Sequence, residues 1–60
     1  MTLEAFLTVI AGETVEVRDR QQFLYDADKN AIRAYHPELL DREIRLIEPT
    51  GLTHFTVYLH

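Results

Sequence analysis

Glu43-Ile44-Arg45-Leu46-Ile47-Glu48-Pro49-Thr50-Gly51-Leu52-Thr53-His54-Phe55-Thr56-Val57-Tyr58-Leu59 is the stretch on which the fold turns. Its two halves, Glu43 to Glu48 and Thr53 to Leu59, alternate with a period of two, which sends successive side chains to opposite faces of a strand. Ile44 and Leu46 match Phe55, Val57 and Leu59 across Pro49-Thr50-Gly51, a run of turn-forming residues. The stretch therefore reads as an antiparallel hairpin with one buried face.

Upstream of it, His36-Pro37-Glu38-Leu39-Leu40-Asp41 offers Pro at a first helical position with an acid behind it. This predicts one or two helical turns whose leucines plug an end of the core. Further back, Phe23 to Tyr25 and Ala31 to Tyr35 flank Asp26-Ala27-Asp28-Lys29-Asn30, whose Asp and Asn side chains favour a turn. These residues predict a second hairpin. Thr14 to Arg18 alternates again, with Val15 and Val17 on one side and Glu16 and Arg18 on the other, as in a half-buried strand. At the start of the chain Leu3, Phe6, Leu7 and Ile10 fall at i, i+3, i+4 and i+7, one stripe of a helix. Thr2 is placed to cap that helix, Glu4 to complement its dipole and Gly12 to stop it.

The expected fold is α+β. An N-terminal helix packs on a four- to five-stranded, mainly antiparallel sheet, with a short helix before the last hairpin. Residues 1–60 read as a single domain, and the start at Met1 suits a whole short reading frame. A chain this short buries only about 60% of the surface exposed when unfolded. Its one core then supplies a net stability of only ~3 to 5 kcal/mol. No Cys is present and His36, His54 and His60 are scattered, so neither a disulfide nor a structural metal is expected to add to it. Self-association would be a natural supplement.

Met1 to Gly12 has no Lys or Arg and carries Glu4 inside its apolar run, unlike an export signal. No window approaches the ~20 apolar residues that cross a bilayer. A soluble, cytoplasmic protein is expected. Ten acidic and six basic residues give a formal charge of −4, which disfavours nonspecific attraction to nucleic acid or anionic lipid.

Catalytic machinery is not legible. The chain contains no Ser or Cys, which removes the serine and cysteine nucleophiles. Gly12 and Gly51 are its only glycines, so no phosphate-cradling loop or dinucleotide fingerprint can form. Asp26-x-Asp28-x-Asn30 copies the first ligand positions of a calcium loop. Ala31 then stands where Gly makes the sharp turn and Pro37 where a bidentate Glu belongs, so the residues read as a solvated turn. His54 and His60 share a strand face but lie about 20 Å apart along it, too far for one ion. The paired acids Asp41 with Glu43 and Asp26 with Asp28 read as loop charges, because acid/base work needs a desolvated cleft. No catalytic residue, metal ligand or cofactor is assigned, and the chain reads as a non-enzyme.

A binding surface is easier to place. If Val15, Val17, Ile44, Leu46, Phe55, Val57 and Leu59 face the helix, the opposite face carries Arg18, Arg33, Tyr35, Arg45, Ile47, His54, Thr56 and Tyr58. Tyr, Arg and an exposed Ile are frequent at binding hot spots. The alternative is that such cross-strand pairs only stabilise the sheet, by ~0.2 to 1 kcal/mol each. Arg33, Tyr35, Arg45, Ile47 and Tyr58 are the candidate partner-binding residues. The same Arg and Tyr set could stack the bases of a single-stranded nucleic acid, although the surrounding acids oppose it. The acids themselves could also engage a partner's basic groove.

The order of pieces carries a resemblance. A short helix over Leu3 to Ile10, the strand Thr14-Val15-Glu16-Val17-Arg18-Asp19, the strand Phe23-Leu24-Tyr25, Pro37-Glu38-Leu39-Leu40-Asp41-Arg42-Glu43-Ile44 and a terminal alternating strand together resemble the small accessory proteins of bacteriophages and mobile elements of Gram-positive bacteria. In size and acidity the chain is similar to anti-CRISPR inhibitors, which work stoichiometrically by covering a nuclease or its nucleic-acid channel. The resemblance brings no catalytic residue and implies a small protein-binding inhibitor or regulator. A regulatory homodimer is the alternative, and a single-strand binder stands behind both.

Overall fold

The computed structural model describes residues 1–11, 14–19 and 23–60, with residues 23–25 described by their backbone. Helix α1 spans Leu3–Val9. Thr2 caps it as expected, its hydroxyl accepting from the Ala5 N–H at 3.2 Å. The stripe Leu3, Phe6, Leu7 and Ile10 is buried. Seven residues are too few for a helix to persist alone in water, so packing of this stripe holds α1 together. The expected stop at Gly12 lies outside the described residues. The helix already ends where Ile10 turns extended and its N–H bonds the Phe6 carbonyl.

Strands β1 (Thr14–Arg18) and β2 (Phe23–Asp28) form an antiparallel pair, and β3 (Ile44–Pro49) and β4 (His54–Leu59) form another. Between the pairs lie helix α2 (Lys29–Tyr35) and a 3-10 turn over Pro37–Leu39. The latter is the expected short helix, and Leu39 is buried with Leu40 packed on the core beside it. Helix α2 corrects the reading of Ala31 to Tyr35 as a strand. Asp28 ends β2 and its carboxylate accepts from the Ala31 N–H at 2.8 Å, capping a helix where a hairpin turn was expected. Asp favours turns and helix N-caps for the same reason, a short acceptor that reaches a nearby backbone N–H. Ala31, Ala34 and a fully buried Ile32 then sustain the helix up to His36-Pro37.

The sheet order is β2-β1-β4-β3, and its central pair, β1 with β4, is parallel. The four-stranded sheet is therefore mixed, where a mainly antiparallel one was expected. The helical segment between the two hairpins carries the chain back, so that the last strand runs alongside the first in the same direction. Val15 pairs with Phe55 and Val17 with Val57 across this junction, and Val15, Val17 and Val57 are fully buried. Met1 to Leu3 adds a short run at the outer edge of the sheet, where the Leu3 N–H donates to the Arg42 carbonyl and the Ile44 N–H to that of Met1.

Both helices lie on the same face. Leu3, Leu7, Ile32 and Leu39 share one cluster with Val15, Val17, Val57 and Leu59, and Phe6 meets Phe55 edge to face, with ring centroids 5.6 Å apart. Polar links tie α1 to α2 above this core: the Lys29 ammonium donates to the Ile10 carbonyl at 2.7 Å and Arg33 to Glu4 at 3.4 Å. No element covers the opposite sheet face among the described residues.

A bulge in β3 corrects the expected parity of the last hairpin. Ile44 pairs with Leu59, Leu46 with Tyr58 and Ile47 with Val57, so Arg45 is an extra residue in the ladder. Ile44 and Ile47 pack on the core. Leu46, expected inside, is 47% exposed on the uncovered face.

Candidate functional site

The register sets out the uncovered face strand by strand. Beside β2's Asp26 lie Glu16 and Arg18 of β1, then Thr56 and Tyr58 of β4, then Leu46 and Glu48 of β3. Thr14 pairs with His54 at one end of the central pair. Thr56, enclosed by these neighbours, is 4% exposed.

Two clusters stand on this face. At the β3 side the Arg45 guanidinium lies over the Tyr58 ring, 5.5 Å from its centroid, and the Tyr58 hydroxyl donates to Glu48 at 3.2 Å. Leu46 is exposed next to them. Among the described residues Arg45 makes no ion pair. Its planar donors are held by the ring and open to solvent, which suits them to a carboxylate. At the other side Glu16, Asp26 and His54 each bring a potential ligand atom within 4.8 Å of the others. Arg18 pairs with Glu16. The His54 Nδ1 lies 2.6 Å from the Thr14 hydroxyl and 3.9 Å from Asp26.

Of the five candidate partner-binding residues, the structure brings together Arg45 and Tyr58. Arg33 stands on α2, where it bonds Glu4 and, at 3.5 Å, the Thr8 hydroxyl of α1. Tyr35 stands at the end of α2, 71% exposed. Ile47 packs on the core. These three leave the expected surface because a helix replaced a strand and because the bulge reversed the parity of β3. The extended Arg and Tyr stacking platform is lost with them.

The Glu16, Asp26 and His54 group escaped sequence reasoning. Its members lie ten and more residues apart, and it needs two pairings at once: Glu16 with Asp26 across an antiparallel ladder, and His54 beside Thr14 across a parallel one. Alternation marked Glu16 and His54 as outward-facing, whereas Asp26 was read as part of a turn and stands in β2. The parallel junction that makes them neighbours had no local signal.

Among the described residues no helix is long and apolar enough to cross a membrane. Comparison with known proteins finds no matching family model, no matching curated protein and no matching solved structure.

Proposed function

We propose that this chain is a binding module without catalytic function, and that it docks a protein partner on the β3 side of its uncovered sheet face. The carrying observation is the Arg45 guanidinium, stacked on Tyr58 with no ion pair among the described residues, beside an exposed Leu46. An anchored Arg, an aromatic ring and an exposed aliphatic side chain on adjacent strands are the pieces of a hot spot. The chemistry asks for a partner surface that presents a carboxylate next to an apolar contact. Stoichiometric occlusion, the mode implied by the resemblance to mobile-element accessory proteins, needs only such a surface. A single-stranded nucleic acid is disfavoured, because Glu16, Asp26 and Glu48 share the face that its phosphates would meet.

The test compares wild type with the double variant Arg45→Glu, Leu46→Asp as immobilised bait, each first checked for unchanged circular dichroism. One protein retained at near-stoichiometric ratio by wild type, with affinity reduced tenfold or more in the variant, supports the reading. Tenfold corresponds to about 1.4 kcal/mol. Equal retention by both proteins would sink it.

A further inference from the structure

We infer that Glu16, Asp26 and His54 form a binding site for a divalent transition ion of the zinc type. Three observations carry this. The first is geometry: one ligand atom from each residue lies within 4.8 Å of the others, and the three residues project from adjacent strands whose register is set by the sheet. Donors bonded to one ion at ~2.1 Å sit roughly 3.0 to 3.4 Å from one another. Binding an ion would draw these side chains closer together than the 4.8 Å within which their ligand atoms stand.

The second observation is electrostatic. Glu16 and Asp26 are direct cross-strand partners, a placement in which like charges repel. Arg18 pairs with Glu16, while Asp26 faces His54 at 3.9 Å. A dication between the strands would answer both carboxylates, with the second Glu16 oxygen available to it beside the Arg18 contact.

The third is the donor set. An imidazole with two carboxylates selects against calcium and magnesium, which prefer all-oxygen shells, and suits zinc, cobalt or nickel. Three protein ligands on an uncovered face leave further positions to water. The Thr14 hydroxyl, 2.6 Å from the His54 Nδ1, holds the ring in place. The same ring nitrogen lies 3.9 Å from Asp26, so the hydroxyl is an outer partner that orients the imidazole toward the carboxylates. His36 pairs with Glu38 at 3.5 Å and belongs to no such group among the described residues. The site lies on the β2 side of the face, away from Arg45 and Leu46, and does not depend on the partner-binding reading.

The experiment is calorimetric titration of chelator-stripped protein with zinc chloride and, separately, magnesium chloride in a non-coordinating buffer. Wild type should bind one equivalent of zinc with micromolar affinity and give no heat with magnesium. His54→Ala and Asp26→Asn should each weaken zinc binding tenfold or more, and His36→Ala should leave it unchanged. Cobalt added to wild type should give visible absorption that zinc abolishes. The inference is overturned if wild type takes up no zinc, or if Asp26→Asn and His54→Ala bind it as wild type does. Loss of binding in His36→Ala would overturn it equally. Should His54→Ala fail to fold, the near-isosteric Asp26→Asn and the cobalt spectrum decide the matter.

Discussion

Leu46 and Ile47 are adjacent, similar in size and similar in hydropathy, yet one faces water and the other the core. The bulge at Arg45 makes the difference by adding one residue to the β3 ladder. Because side chains alternate, a single extra residue exchanges the two faces of everything beyond it. This yields a paired prediction. Leu46→Lys should change stability by no more than about 0.5 kcal/mol, as surface substitutions do. Ile47→Lys should cost ~2 kcal/mol or more, because it places a charge against Val57 and the core. Urea midpoints of the two variants check the register directly. Gly51 offers a second case. It has no positive φ, and an added Cβ would meet the His54 Cβ at 3.7 Å, an ordinary contact. Gly51→Ala should therefore stabilise by ~0.4 to 1 kcal/mol, through a less flexible unfolded chain, and a raised thermal midpoint would show it.

At the scale of elements, the helices separate what was legible from what was not. The stripe of α1 and its Thr2 cap were readable because the pattern and the cap are both local, within a turn of each other. Helix α2 was not, because Asp26 to Asn30 has the composition of a hairpin turn and Ala31 to Tyr35 presents one buried residue, Ile32, too few to show a 3.6 period. The Asp28 cap is then a specific support of this helix. Asp28→Ala should cost about 1 kcal/mol, with loss of helical signal in far-ultraviolet circular dichroism. Asp28→Asn and Asp28→Ser, which keep a capping acceptor, should restore most of it. Arg33, which ties α2 to Glu4 and Thr8, owes its position to this helix and so drops out of the uncovered face.

At the scale of the whole molecule, β1 and β4 form the middle of the sheet and carry Val15, Val17, Val57 and Leu59 into the core. Amide exchange should accordingly be slowest in β1 and β4, approaching the global unfolding rate, and faster along β2 and the Pro49 end of β3, which are sheet edges. Equal protection across the sheet would contradict this order. The single core also sets the tolerance to cavities. Truncating a fully buried leucine costs ~2 to 5 kcal/mol, comparable with the whole net stability of ~3 to 5 kcal/mol for a domain of this size. Leu7→Ala should thus be largely unfolded at room temperature by circular dichroism. Regain of structure with added zinc would join this result to the proposed ion site, since a ligand that binds only the folded state shifts the equilibrium toward it.

The α+β class, the N-terminal helix and its cap, the short helical turn after Pro37, the last hairpin and the outward placement of Glu16, His54 and Tyr58 are legible in the chain alone. Each of these follows from residues within a few positions of one another, where periodicity and capping act. Tertiary structure alone decided the parallel pairing of β1 with β4, the conversion of Ala31 to Tyr35 into a helix and the exchange of Leu46 for Ile47 at the surface. Those outcomes depend on how two hairpins share one core across forty residues of chain, a balance of packing that no local pattern records. The same long-range pairing gathers Glu16, Asp26 and His54, and stands Arg45 on Tyr58 beside Leu46.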